Sequence, residues 1–221
     1  MAARVLTIAQ QKGGAGKTTL AAHLAVAWSL AGHRVAIVDI DPQASLTQWD
    51  RMRGERAQAS ESAGGVAKLA PLHVVSIAGW RLASEADRLK RGYDIVLIDS
   101  PPHMETEAKI AVRAADFVIV PVQPSPMDLW ATQGTLDLIK KERRPALIVL
   151  NRVPARASLT TAMRTRIEEL GVECAATTVG SRVSLASSLL EGRGIGEAAP
   201  SSTAGREIAA LAEEIWAAAK R

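Results

Sequence analysis

Lys12-Gly13-Gly14-Ala15-Gly16-Lys17-Thr18-Thr19 follows directly on the apolar run 5–9 and leads into residues 20–30, which are rich in alanine and leucine and free of proline. The order is therefore strand, glycine loop, helix, the context in which such a loop binds phosphate. Glycines at 13, 14 and 16 let the backbone bend so that its N–H groups converge on phosphate oxygens. The following helix adds a favourable potential for the anion at its N-terminus. In this pattern Lys17 holds the β- and γ-phosphates and the Thr18 hydroxyl ligates Mg²⁺.

One position departs from the usual G-x-x-x-x-G-K-[ST] pattern, because Gln11 stands where the first glycine belongs. A second lysine, Lys12, opens the loop, too far round it to serve the same phosphates as Lys17. Read from the residues alone, Lys12 is either a solvated lysine or a functional one. K-G-G-x-G-K-T-T resembles the deviant Walker A signature of the ParA/MinD class of P-loop ATPases. That resemblance implies ATP bound along Gly13, Gly14, Ala15, Gly16, Lys17, Thr18 and Thr19. It also implies that Lys12 crosses a dimer interface to the phosphates of the other subunit, so that Lys12 and Lys17 both serve catalysis.

At 221 residues and 48% hydrophobic composition, with no long Pro/Ser linker, the chain is expected to form one domain over 1–221. A single cysteine, Cys174, supplies neither a disulfide framework nor a cysteine-rich metal site, which suits a reducing cytosol. No cleavage pattern follows the N-terminus, and apolar runs such as 95–98 and 117–122 are too short to span a bilayer. A net charge of +4 and a pI near 9.5 do not establish nucleic-acid binding. Basic residues cluster at Arg51/Arg53/Arg56, Arg88/Lys90/Arg91, Lys140/Lys141/Arg143/Arg144 and Arg152/Arg156, each of which is most simply a solvated face. The histidines at 23, 33, 73 and 103 show no ligand spacing, and His103 is given no role.

Short β-branched runs at 34–39, 72–77, 94–99, 116–122, 146–151 and 175–179 alternate with helical patterns at 46–52, 80–91, 105–114, 129–141, 160–170 and 206–219. Nearly continuous apolar strands separated by helices predict an α/β fold, a mostly parallel twisted sheet covered on both faces. Nucleotide would bind at the carboxyl edge of the strands. The stretch 53–65 is weakly patterned and is expected to be a surface excursion.

Two strand ends carry acids. Asp39 and Asp41 lie two residues apart in Asp39-Ile40-Asp41-Pro42-Gln43, a weak signal alone but one that matches the second motif of the ParA/MinD class. By that resemblance Asp41 orients the attacking water and Asp39 lies near the metal shell. Residues 93–99 form an apolar strand ending in Asp99, the Walker B arrangement, in which the acid helps hold Mg²⁺. Residues 100–105 would then be the loop that senses the γ-phosphate.

Residues 120–130, with Pro124, Pro126, Met127 and Trp130, read as a strand end, proline-stiffened turns and a helix capped by Asp128 or a nearby backbone group. They also resemble the proline-rich motif of the small ParF-like partition ATPases, which places Pro124, Pro126, Met127 and Trp130 at a dimer face. Simple turn chemistry is the competing reading. The resemblance further puts Asn151 and the loop bearing Pro200 beside the adenine, and Arg182 and Arg193 in a region that binds DNA without sequence preference.

Together these features imply a Mg²⁺-ATP-dependent homodimer that binds non-specific double-stranded DNA and positions a cargo over the nucleoid, in the cytoplasm. A ParB-like or other adaptor would stimulate its slow hydrolysis. The first strand begins almost at Met1, so the helix-turn-helix of longer partition ATPases is not expected. A MinD-like membrane switch would carry an amphipathic tail, whereas 206–221 is alanine-rich with Leu211, Ile215 and Trp216 as its larger apolar groups and reads as a docking helix. A P-loop biosynthetic ligase is the other alternative, and would turn over ATP with a small acid in the absence of DNA or a protein partner.

Overall fold

The computed structural model describes residues 2–62, 69–102, 105–155 and 158–221. Among the described residues seven strands, β1 (Arg4–Ile8), β2 (Val35–Asp39), β3 (His73–Ser76), β4 (Ile95–Asp99), β5 (Phe117–Val122), β6 (Ala146–Leu150) and β7 (Glu173–Cys174), form one sheet in the order β3-β2-β4-β1-β5-β6-β7. Every pairing is parallel. β2, β4 and β5 are buried along their whole length, which is why they read as unbroken apolar runs.

The connections are α1 (Lys17–Leu30), α2 (Ser45–Ser62), α3 (Leu82–Leu89), α4 (Glu105–Ala114), α5 (Pro126–Lys141), α6 (Ser158–Glu169), α7 (Val183–Leu190), α8 (Ile195–Ala198) and α9 (Thr203–Ala219), with a 3-10 turn at Gly79–Arg81. One face of the sheet packs on α1 and α9 through Leu24, Trp28, Ile208, Leu211 and Ile215. The indole N–H of Trp28 donates to the Ala212 carbonyl at 2.8 Å, tying these two helices together. The other face is covered by α3 and α4 on one side and α5 and α6 on the other, through Leu82, Leu89 and Ala111 and through Leu136, Ile139 and Ile167.

Three expectations change. The stretch 53–65 is no excursion as far as Ser62, because α2 continues through it. Its one buried polar anchor is Arg53, which forms a two-pronged pair with Glu197. The last strand lies at Glu173–Cys174 rather than 175–179, where only isolated bonds such as Val179 N–H to the Leu150 carbonyl continue the ladder. Finally, α7 and α8 had no counterpart in the sequence reading, since both are too short to display a helical repeat.

Candidate nucleotide site

β1 ends at Ile8 in the middle of the sheet, and its neighbour β4 ends at Asp99, directly paired with Ile8 on one side and with Asp39 of β2 on the other. The glycine loop, Asp39 and Asp99 thus meet at one carboxyl edge. Gly14 and Gly16 adopt left-handed backbone conformations, with φ of 79° and 86°, which an L side chain rarely adopts. Gly16 is also the cap residue of α1, and the first intrahelical bond runs from Leu20 N–H to its carbonyl. The preceding N–H groups of α1 are left to face an anion. A groove of about 190 Å³ opens over them, lined by Gly14, Gly16, Lys17, Thr18, Thr19, Asp41, Pro102 and Arg152. A larger concavity of about 900 Å³ lies at the opposite pole, against Arg4, Phe117 and Ala146, away from every motif.

Gln10 and Gln11 anchor the loop, a role the sequence did not disclose. The buried Gln10 amide donates to the Thr132 hydroxyl at 2.9 Å, and its carbonyl oxygen accepts from Lys12 N–H and the Thr135 hydroxyl. Gln11 N–H donates to Thr135 Oγ1 at 3.2 Å. A β-carbon at Gly134 would come within 2.7 Å of Gln11 Oε1, so the glycine in the middle of α5 makes room for the glutamine that replaces the first loop glycine. The only sequence signal was an amide pair between an apolar strand and a glycine loop.

Lys17 is buried and its ammonium donates to the Gln10 carbonyl at 3.0 Å. Burial pulls its pKa down, against the opposing pull of Asp99 and Asp41. Asp99 is buried with neither carboxylate oxygen hydrogen-bonded, and the Thr18 hydroxyl faces it without completing a bond. Desolvation pushes its pKa up to about 7, with the charges of Asp39 and Asp41 adding to the rise. Two orphaned carboxylate oxygens beside a threonine hydroxyl fit a hard cation. Among the described residues no cluster of three His, Cys, Asp or Glu side chains encloses a metal, so Mg²⁺ here would depend on phosphate oxygens as well.

Asp39 lies beside Asp99 on the neighbouring strand, with both carboxylate oxygens engaged. One oxygen accepts from Asp41 N–H at 3.1 Å and the other from the N–H and hydroxyl of Thr47 at 3.0 and 2.8 Å. It fastens the first turn of α2 to the end of β2, and the geometry favours Asp99 over Asp39 beside a metal. Asp41 lines the groove and accepts from Gln43 N–H at 2.9 Å. Of the expected γ-phosphate-sensing loop, Pro102 reaches the groove, while His103 and Met104 lie outside the described residues.

Comparison with known proteins agrees with this geometry. The model of the CobQ/CobB/MinD/ParA nucleotide-binding domain matches residues 6–195. The chain belongs to the ParA/MinD family of nucleotide-binding ATPases. It is 33% identical over 193 residues to the maintenance of carboxysome distribution protein A of Halothiobacillus neapolitanus, covering 85% of this chain and 84% of that one. It is 31% identical to the chromosome-partitioning ATPase Soj of Thermus thermophilus, over 97% of this chain and 96% of that one. In fold it is similar to the Aquifex aeolicus MinD cell division protein, with a TM-score of 0.78 at 21% identity and 97% coverage of both chains. The first two of these relatives are named for carboxysome distribution and for chromosome partitioning.

The remaining candidates of the ParA/MinD reading are distributed as follows. Lys12 is not in the groove of its own subunit; its ammonium pairs with Asp128 on the first turn of α5 at 2.8 Å. Asp128 is not the cap of that helix. Ser125 is, accepting from Asp128 N–H, with Pro126 in the first turn. Met127 and Trp130 stand 64% and 70% exposed on this turn, whereas Pro124 is buried and offers no surface. Asn151 is buried against the loop, its amide donating to the Ala15 carbonyl at 2.8 Å. Pro200 lies in the exposed turn before α9 and does not line the phosphate groove. Arg182 is paired with Glu207, and Arg193 donates to the Glu197 carbonyl and stands 3.8 Å from Glu191, so both candidate DNA contacts are engaged within the fold.

Proposed function

We propose that this chain is an ATP-driven switch: Mg²⁺-ATP joins two copies face to face, the dimer holds non-specific DNA, and hydrolysis stimulated by an adaptor protein releases it, so that a cargo is partitioned or positioned over the nucleoid. The observation that carries the reading is the placement of Lys12. Its ammonium sits outside its own phosphate groove, paired with Asp128 on the helix turn that also carries the exposed Met127 and Trp130, apolar groups suited to a second subunit. Lys12 released from Asp128 would reach across that face to the partner's phosphates, as an arginine finger acts in trans.

Within each subunit, Lys17 and the α1 N-terminus hold the phosphates, Asp41 orients water over the groove, and Asp99 with Thr18 holds the cation. Mg²⁺, when bound, offsets the charge on the phosphates. The ParA-like cargo reading draws on relatives named for carboxysome distribution and chromosome partitioning. Against the MinD-like membrane alternative, the larger apolar groups of α9, Leu211, Ile215 and Trp216, are buried against the protein itself. No helix among the described residues is long and apolar enough to cross a membrane.

The test is retention on non-specific double-stranded DNA with ATP, ADP or no nucleotide across a salt series. Retention with ATP alone, stronger in Asp41→Ala and falling with salt at about −0.9 in log–log slope per phosphate contact, is the expected result. Nucleotide-independent or absent retention in a protein that binds ATP would contradict the DNA-switch reading.

A further inference from the structure

We infer that Arg152 is a nucleotide-binding residue of this chain, whose guanidinium closes over the polyphosphate held in its own subunit. Three observations converge on it. It lines the groove from the end of β6, and its Nε lies 3.6 Å from where a β-carbon on Gly16 would stand. Its backbone is held in the left-handed region, at φ 54°, a conformation that costs free energy for any residue but glycine. That conformation is fixed by its neighbour: Arg152 N–H donates to Asn151 Oδ1 at 3.0 Å, while the Asn151 amide grips the loop at Ala15.

The strained backbone therefore aims a cation at the glycine loop. Arg152 is exposed and, unlike Arg182 and Arg193, makes no ion pair among the described residues, so its guanidinium is free to turn onto an anion in the groove. With Lys12 held away on Asp128, Lys17 and Arg152 are, among the described residues, the two cationic side chains that line the groove. A planar guanidinium can take two phosphate oxygens at once, which a lysine cannot.

The inference rests on the groove being the nucleotide site, and calorimetric titration of Mg²⁺-ATP and Mg²⁺-ADP separates the two claims. Arg152→Ala and Arg152→Gly should each weaken both nucleotides about tenfold or more, with Arg152→Lys intermediate. Arg152→Gly should also raise the melting temperature of the nucleotide-free protein, because it relieves the positive φ. A bracing role would instead lower the melting temperature in both variants, and that result overturns the inference. So does parental affinity in Arg152→Gly while Lys17→Ala has lost binding. Parental affinity in Lys17→Ala would remove the site itself and the inference with it.

Discussion

Asp99 is the residue in which structure and chemistry are most directly opposed. A carboxylate with no hydrogen bond among the described residues, buried at a strand end and with its pKa pushed up to about 7, is held in place at a cost to folding. Asp99→Asn is therefore expected to stabilise the nucleotide-free chain by about 1–3 kcal/mol at pH 8 while losing Mg²⁺-dependent ATP binding. Thermal unfolding and titration with and without Mg²⁺ check the two halves, and a lower melting temperature would refute the first. His23 behaves in the opposite sense. Buried on α1, it accepts from Ile195 N–H through Nδ1 and bonds the Leu185 carbonyl through Nε2, and burial lowers its pKa to about 4. Its folded pKa lies below the unfolded value near 6.5, so the stability it contributes is present above pH 6.5 and is lost as pH falls toward 4. Between pH 7 and pH 5 the parent should lose about 2 kcal/mol that His23→Gln does not lose. Because Asp99 shifts the pH dependence the other way, the comparison is the difference between the two proteins' denaturant-unfolding curves. Equal pH slopes would rule the His23 contribution out.

At the scale of elements, much of the sheet and several helices were legible because their residues answer to local rules. β2, β4 and β5 are unbroken apolar runs, and α4 falls on 105–114 as its pattern indicates. The loop declared itself through glycines that the backbone needs at positive φ. What was not legible depends on partners distant in sequence. α2 extends to Ser62 through a polar stretch whose anchor, Arg53, meets Glu197 144 residues later. Nothing in residues 53–65 encodes that meeting. In the same way Asp128 lies inside the first turn of α5, behind the Ser125 cap, and its carboxylate is committed to Lys12, 116 residues before it. Asp39 fastens α2 through Thr47, 8 residues on, a contact that needs the turn between strand and helix to be formed first. The Glu197 carboxylate accepts from Arg53 through both prongs and from Ala70 and Gly194 N–H groups, all buried. Removing one charge of such a pair leaves the other unpaired in the core, so Glu197→Gln should cost about 3–5 kcal/mol in urea unfolding. A loss below about 1 kcal/mol would mean that α2 is held by its apolar contacts alone.

Across the whole molecule, the chemistry is concentrated at the carboxyl edge of the central strands. α5 extends from that edge as the bridge between the phosphate loop and the surface. Gln10, Gln11 and Lys12 are each bonded to it, through Thr132, Thr135 and Asp128, and its first turn carries Met127 and Trp130 outward. The central claim is that Lys12 acts between subunits rather than within one. Sedimentation of the parent, Asp41→Ala and Lys12→Ala in Mg²⁺-ATP, alongside ATP titration of each, tests it most directly. The account predicts that parent and Asp41→Ala become dimers with ATP, whereas Lys12→Ala binds ATP as tightly as the parent and sediments as a monomer; equal dimerisation of Lys12→Ala and the parent would contradict it.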